Sequence, residues 1–140
     1  MKHTFHLLIR TPEQKIYDGE IKNIYFTTEE FGITGVYANH ASMTSTILFS
    51  NIRIQEETGQ ENFLARRGIF TFSNETNEAL LLCQSCEKMT EMTYVTALEY
   101  LKFIEEKLAR HEDLSQFQLV HLEEEKLAVT QQIKSRNKKL

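Results

Sequence analysis

The chain has 140 residues, 41% of them hydrophobic and 26% charged, with a formal net charge of −4. That length suits one ordinary domain, or a compact domain with an appendage, and the charge excludes the basic footprint of a nucleic-acid binder. No stretch approaches the roughly 20 consecutive apolar residues that a membrane-spanning helix needs, so membrane association is expected only through partners. In chain order, Thr4 to Arg10 reads as a strand closed by the turn signal Thr11-Pro12-Glu13. Ile21 to Thr27 reads as a second, and Thr46 to Gln55, Glu61 to Arg66, Ile69 to Phe72 and Ala79 to Gln84 as four more. Turn-forming stretches lie between them: Asp18-Gly19, Phe31-Gly32 through Gly35, Glu57 to Gln60, and Ser73 to Asn77. Short strands at this spacing predict an antiparallel β-sandwich over residues 1–86.

The period then changes. From Thr93 onward there is neither Gly nor Pro, and Tyr94, Ala97, Leu98, Leu101, Ile104 and Leu108 recur at helical spacing. This helix is expected to end near His111, with Glu112 to Ser115 as a short turn. Ser115 and Gln118 have the spacing of a capping box, which opens a second helix running to about Ser135. The tail Arg136 to Lys139 places positive charge at that helix's C-terminus. Residues 87–140 therefore read as an antiparallel helical hairpin. The second helix carries two apolar stripes: Phe117, Val120, Leu127 and Ala128 on one face, and Leu119, Leu122, Val129 and Ile133 nearly opposite. Two stripes ask for two covers. Either the helix lies between its partner helix and the sandwich, or it exchanges partners.

Chemistry-bearing residues are few. Cys83-Gln84-Ser85-Cys86 is a lone C-x-x-C at the end of a strand, and period-2 alternation sends its two thiols to opposite faces, as small buried side chains. No second C-x-x-C or His pair completes a zinc site. With no export signal in Met1 to Arg10, the two cysteines suit a reducing, cytoplasmic setting. No phosphate loop follows the glycines. Glu105-Glu106 and Glu123-Glu124-Glu125 read as solvated helix faces. No cofactor is expected.

The words of the sequence resemble those of a known family. Phe5-His6-Leu7, Thr11-Pro12-Glu13 and Tyr17-Asp18-Gly19-Glu20 look like the opening of ATP synthase epsilon subunits. The stretch from Gly32 to Ala41, with Gly32, Gly35, His40 and Ala41 in their expected order, resembles that family's most distinctive segment. Asn51 to Ile54 and Arg67 to Phe70 fall at the expected distances. The resemblance implies a non-catalytic subunit of the central stalk of an F-type rotary ATP synthase. It implies a sandwich between the gamma subunit and the c-ring, coupling ion flow to ATP synthesis at the cytoplasmic face of the membrane. It also implies a hairpin able to reach the catalytic alpha/beta head and restrain ATP hydrolysis. On this reading Gly32, Ile33, Thr34, Gly35, His40 and Ala41 line a subunit interface.

The chain departs from the family's pattern at several places. Ile33 stands where an acidic residue is usual, Ala38 where proline is, Phe49-Ser50 where Pro-Gly is, and Arg67 where the first of two glycines is. Met92 to Ala97 lacks the Asp and Arg with which some members hold ATP. Two other classes of function fit the residues: a sandwich interaction module of another complex, and a thiol-dependent enzyme using Cys83 and Cys86.

Overall fold

The computed structural model describes residues 2–110 and 113–137, with side chains to residue 135. It divides into two compact units, Met1–Glu91 and Met92–Leu140. The first holds seven strands: β1 (Phe5–Arg10), β2 (Lys15–Ile21), β3 (Asn23–Thr28), β4 (Gly32–Tyr37), β5 (Met43–Gln55), β6 (Gln60–Ser73) and β7 (Glu78–Lys88). They form one hydrogen-bonded sheet in the order β2-β1-β7-β6-β5-β3-β4, folded over into a sandwich. All neighbours are antiparallel except β1 and β7, which run parallel. Two strands escape the sequence pattern. Lys15–Ile21 is an edge strand whose charged side chains hide its period, and Gly32–Tyr37 pairs with β3 although its glycines read as a turn. The segments expected as Glu61–Arg66 and Ile69–Phe72 are one strand, β6.

The fold-over has a definite place. On β5, β6 and β7 the rows Ile47–Gly68–Cys83 and Ser50–Ala65–Cys86 both face the core. In a regular strand, residues three apart point to opposite faces. Here the parity of all three strands flips together. The row between, Leu48, Arg67 and Gln84, is exposed, and ladder pairing lapses there. Arg67 takes the left-handed conformation, with φ of 51°. Each long strand thus starts in one layer and ends in the other. The first layer contains β2, β1 and one half of β5, β6 and β7. The second contains the other halves with β3 and β4. Next to the corner, the Arg66 guanidinium lies 4.5 Å over the Phe49 ring. Ser50 Oγ accepts a hydrogen bond from the Thr27 amide at 3.0 Å, which occupies a donor where β3–β5 pairing has ended.

The core between the layers is apolar throughout, with Phe5, Leu7, Ile9, Ile24, Ile52, Phe63, Phe70 and Leu81 almost fully buried. Burial of each such side chain contributes about 1.5–3 kcal/mol. The edge strand β2 is tied across the fold by Tyr17, whose hydroxyl donates to Glu56 at 2.7 Å. Burial, reinforced by that carboxylate, pushes the Tyr17 phenol well up from its ordinary value.

The second unit is a pair of packed helices, α1 (Tyr94–Ala109) and α2 (Gln116–Asn137). Thr93 caps α1 by accepting from the Thr96 amide at 3.1 Å. The capping box of α2 is complete: Gln118 N–H donates to Ser115 Oγ at 3.2 Å, and Ser115 N–H donates to Gln118 Oε1 at 2.9 Å. The helix end expected near His111, Glu112 of the turn, and the side chains of the basic tail Arg136 to Lys139 lie outside the described residues. Of the two apolar stripes on α2, one is covered, with Val129 and Ile133 buried and Leu119 and Leu122 half-buried. The other, Phe117, Val120, Leu127 and Ala128, is exposed, Phe117 at 83%. Glu125 corrects a second expectation. Glu123 and Glu124 are solvated, but Glu125 is buried, with the Tyr100 hydroxyl donating to it at 3.4 Å and His121 Nε2 3.8 Å away.

Candidate functional site

The six residues expected at an interface lie on β4 and the loop after it. The β3–β4 turn is built around Thr28, whose hydroxyl oxygen accepts from the Phe31 amide at 2.8 Å and donates to the Gly32 carbonyl at 3.3 Å. Gly32 has φ of 73°, a conformation that side chains rarely adopt. Thr34 Oγ1 donates to the same carbonyl at 3.0 Å. The turn is also fastened to β5. The Glu30 carboxylate accepts from the Thr46 amide at 2.7 Å and from the Thr46 hydroxyl at 2.5 Å, and the Glu29 amide donates to the Thr46 carbonyl at 3.0 Å. Those donors hold the Glu30 carboxyl below its usual range. On this fixed turn Phe31 and Ile33 stand out, 66% and 40% exposed.

Gly35 serves a different purpose. A β-carbon there would meet Tyr25 Cε1 at 2.5 Å, because the Tyr25 ring lies across its cross-strand partner. The Arg53 guanidinium sits 4.9 Å over that ring, and the Tyr25 and Tyr37 hydroxyls hydrogen-bond to each other.

His40 and Ala41 stand at the other end of β4. About 13 Å of strand separates Ile33 from Tyr37, so the six residues make two clusters. The second is held by asparagines of the β6–β7 turn. Asn74 Nδ2 donates to the carbonyls of Asn39 at 3.0 Å and His40 at 2.9 Å, and the Asn39 amide donates to Asn77 Oδ1 at 2.8 Å. His40 Nδ1 hydrogen-bonds the Ala41 carbonyl at 2.7 Å, and its ring meets Phe72 edge-on. Asn39, with φ of 66°, and Asn77, with φ of 53°, occupy left-handed positions. The sequence signal for these contacts was present, since asparagine tolerates that conformation better than most residues.

A third surface went unread in the sequence. The outer side of the first layer carries exposed Leu48, Ile69 and Leu82, with Ile69 and Leu82 directly paired across strands. Half-buried Leu8 and Leu80 continue it. Beside them is a groove of about 780 Å³ lined by His6, Leu8, Thr44, Thr71 and Leu80 among others. A layer apolar on both sides departs from the usual alternation of a solvated sheet.

The C-x-x-C pair also differs from expectation. Cys83 and Cys86 point to the same side, because the strand parity flips between them. Among the described residues no group of three His, Cys, Asp or Glu side chains is arranged to hold a metal ion, and no helix is long and apolar enough to cross a membrane.

Residues 4–88 match the family model described as the beta-sandwich domain of the ATP synthase delta/epsilon chain. The match spans most of the chain, and the chain belongs to that family. Among similar curated proteins, the ATP synthase epsilon chain of Clostridium novyi (strain NT) is 32% identical over 111 residues, covering 79% of this chain and 82% of the relative. The chloroplastic epsilon chain of Pelargonium hortorum is 33% identical over 113 residues, covering 81% and 83%. Within the family this is an epsilon-type chain. The fold is also that of a chain in the cryo-EM structure of Euglena gracilis mitochondrial ATP synthase. That likeness has a TM-score of 0.63 at 14% identity, covering 88% of this chain and 75% of that one.

Proposed function

We propose that this chain is a non-catalytic subunit of an ATP synthase central stalk, held to the gamma subunit and the c-ring through its sandwich. The observation that carries the reading is the fastened β3–β4 turn presenting Phe31 and Ile33. Apolar side chains on a pre-ordered turn bind with little ordering cost, which suits a permanent subunit contact. The apolar outer surface at Leu48, Ile69 and Leu82 supports a second contact. His40 and Ala41, about a strand's length from the turn, extend the surface along β4. The chain is then peripheral, on the cytoplasmic face, and reaches the membrane only through these partners. A fold neighbour in the central stalk and c-ring of the Tetrahymena thermophila mitochondrial ATP synthase favours the same assembly.

The test is recovery of the tagged chain from detergent-solubilised membranes. The wild-type chain is expected to bring down gamma and the c-ring. Ile33→Asp is expected to weaken that recovery while its circular dichroism stays unchanged. Recovery of a different complex, or full assembly of the Asp variant, overturns the contact.

The helical unit is assigned a restraining role on ATP hydrolysis, exerted by extension toward the alpha/beta head. The exposed stripe of Phe117, Val120 and Leu127 supports this reading, since it offers a helix face for a partner.

A further inference from the structure

We propose that Arg53, seated on the ring of Tyr25, is a docking point for an acidic side chain of the stalk partner that meets Ile33. Three neighbouring strands build it. Arg53 of β5 is paired with Tyr25 of β3, and Tyr25 with Gly35 of β4. The three share the outer face of the second layer, since Ile24, Val36, Ile52 and Ile54 beside them point into the core. Gly35 has no side chain, so the Tyr25 ring leans over it, and the Arg53 guanidinium lies 4.9 Å from the ring centroid. Tyr37, 52% exposed, meets Tyr25 edge-on, and the two hydroxyls share a hydrogen bond.

The donors on this platform are unspent. Arg53 is exposed, and among the described residues it makes no ion pair. Its partner on β6 is Asn62, and its neighbours on the same face of β5 are Asn51 and Gln55, none of them acidic. In a bonded pair of hydroxyls one O–H donates to the other, and the second is left to donate elsewhere. A guanidinium is planar, and its fork matches a carboxylate in two parallel hydrogen bonds. Stacking on the ring removes in advance part of the freedom that a loose arginine loses on binding. Tyrosine and arginine are also the residues that concentrate binding energy at interfaces.

Position selects the occupant. Ile33 lies on the same face of β4 as Gly35, two residues or about 7 Å along the strand. A protein surface that covers Ile33 reaches the Tyr25 platform as well and takes Arg53 out of water. A guanidinium so covered needs a counter-charge, and a carboxylate supplies it. This docking point rests on the stalk assignment, which provides the surface over Ile33.

The experiment uses the full-length tagged chain bound to the gamma subunit and c-ring from detergent-solubilised membranes. Wild-type recovery of that complex tests the stalk assignment by itself; without it, both the assignment and the docking point fall. Given that complex, Arg53→Gln is expected to speed its dissociation about thirtyfold or more and to flatten its dependence on salt. Tyr25→Leu removes the platform and is expected to act in the same direction, with little further change in the double variant. In the Arg53→Lys chain, a carbodiimide is expected to join the introduced amine to an Asp or Glu of the partner, identified by mass spectrometry of the cross-linked peptide. Three results overturn the docking point and leave the stalk assignment standing: dissociation unchanged by Arg53→Gln, additive effects of the two substitutions, or an amine that couples to no partner carboxylate.

Discussion

The ring of Tyr25 fills the place where a side chain on Gly35 would begin, with Tyr25 Cε1 2.5 Å from that position. The second glycine of the Gly-x-x-Gly segment is therefore fixed by its neighbour across the strand, and the first, Gly32, by its own backbone angle. Gly35→Ala forces the Tyr25 ring off Arg53 and Tyr37 and is expected to destabilise the chain by about 1–3 kcal/mol. Adding Tyr25→Leu to that variant is expected to recover part of the loss. Urea denaturation of the two single variants and the double variant measures the coupling, and strictly additive losses would contradict the contact.

Glu30 fastens the β3–β4 turn only while ionised. Its carboxyl lies below the usual 4.5 because the Thr46 side chain and amide donate to it. A group lowered in the folded state contributes stability above its unfolded value, and that contribution is lost as pH falls through the folded value. The Phe31 amide of the wild-type chain is thus expected to stay protected from hydrogen exchange down to pH 4.5 and to lose protection at more acid pH. Glu30→Gln should show the faster exchange already at neutral pH. Equal exchange in both proteins at neutral pH would show that the charge does not hold the turn.

Arg67 adopts a left-handed conformation at the corner, with φ of 51°. A side chain in that region costs about 1–2 kcal/mol, and glycine's extra freedom when unfolded returns roughly 0.5–1 kcal/mol of that. Arg67→Gly is expected to stabilise the chain by about 0.5–1 kcal/mol, and Arg67→Val to destabilise it. Midpoints of chemical denaturation check both signs.

The helical unit starts its second helix with a reciprocal box between Ser115 and Gln118. Ser115→Ala is expected to cost about 1 kcal/mol. The loss should appear as faster hydrogen exchange at the Gln118 amide, with the amides of β5 and β6 unchanged. Uniform loss across the chain would show that the two units melt together.

Removal of the helical unit tests the restraining role. A chain ended after Glu91 keeps all seven strands. Reconstituted into the enzyme at equal assembly, it is expected to raise ATP hydrolysis over the full-length chain. An unchanged rate would leave the helices as a passive part of the stalk.

Much of this was legible in the residues. The helices were, because their periodicity is uninterrupted and Ser115 and Gln118 mark a start by chemistry alone. The sandwich was, through its turn residues. What stayed hidden depends on contacts distant in sequence. β2 carries Lys15, Asp18 and Glu20, so no apolar period announces it. β4 looks like a turn until the Tyr25 ring explains Gly35. The facing of Cys83 and Cys86 could not be read from alternation, since the corner at Leu48, Arg67 and Gln84 breaks alternation in three strands at once. Glu125 looked solvated because its neighbours are, and Tyr100, 25 residues away, marks it as inward. For the interface residues, the sequence supplied an order along the chain but not the distance between the two clusters on β4.

The corner has a mechanical meaning. In a sandwich of two separate sheets, a twisting load passes from one sheet to the other through side-chain contact, and the sheets can slip. Here three backbones run unbroken from layer to layer. A load applied at one face is carried along covalent chains to the other, so the domain resists shear as a folded plate does, by its crease. In the proposed central stalk, that stiffness lets angular motion pass through the sandwich without being lost in its deformation.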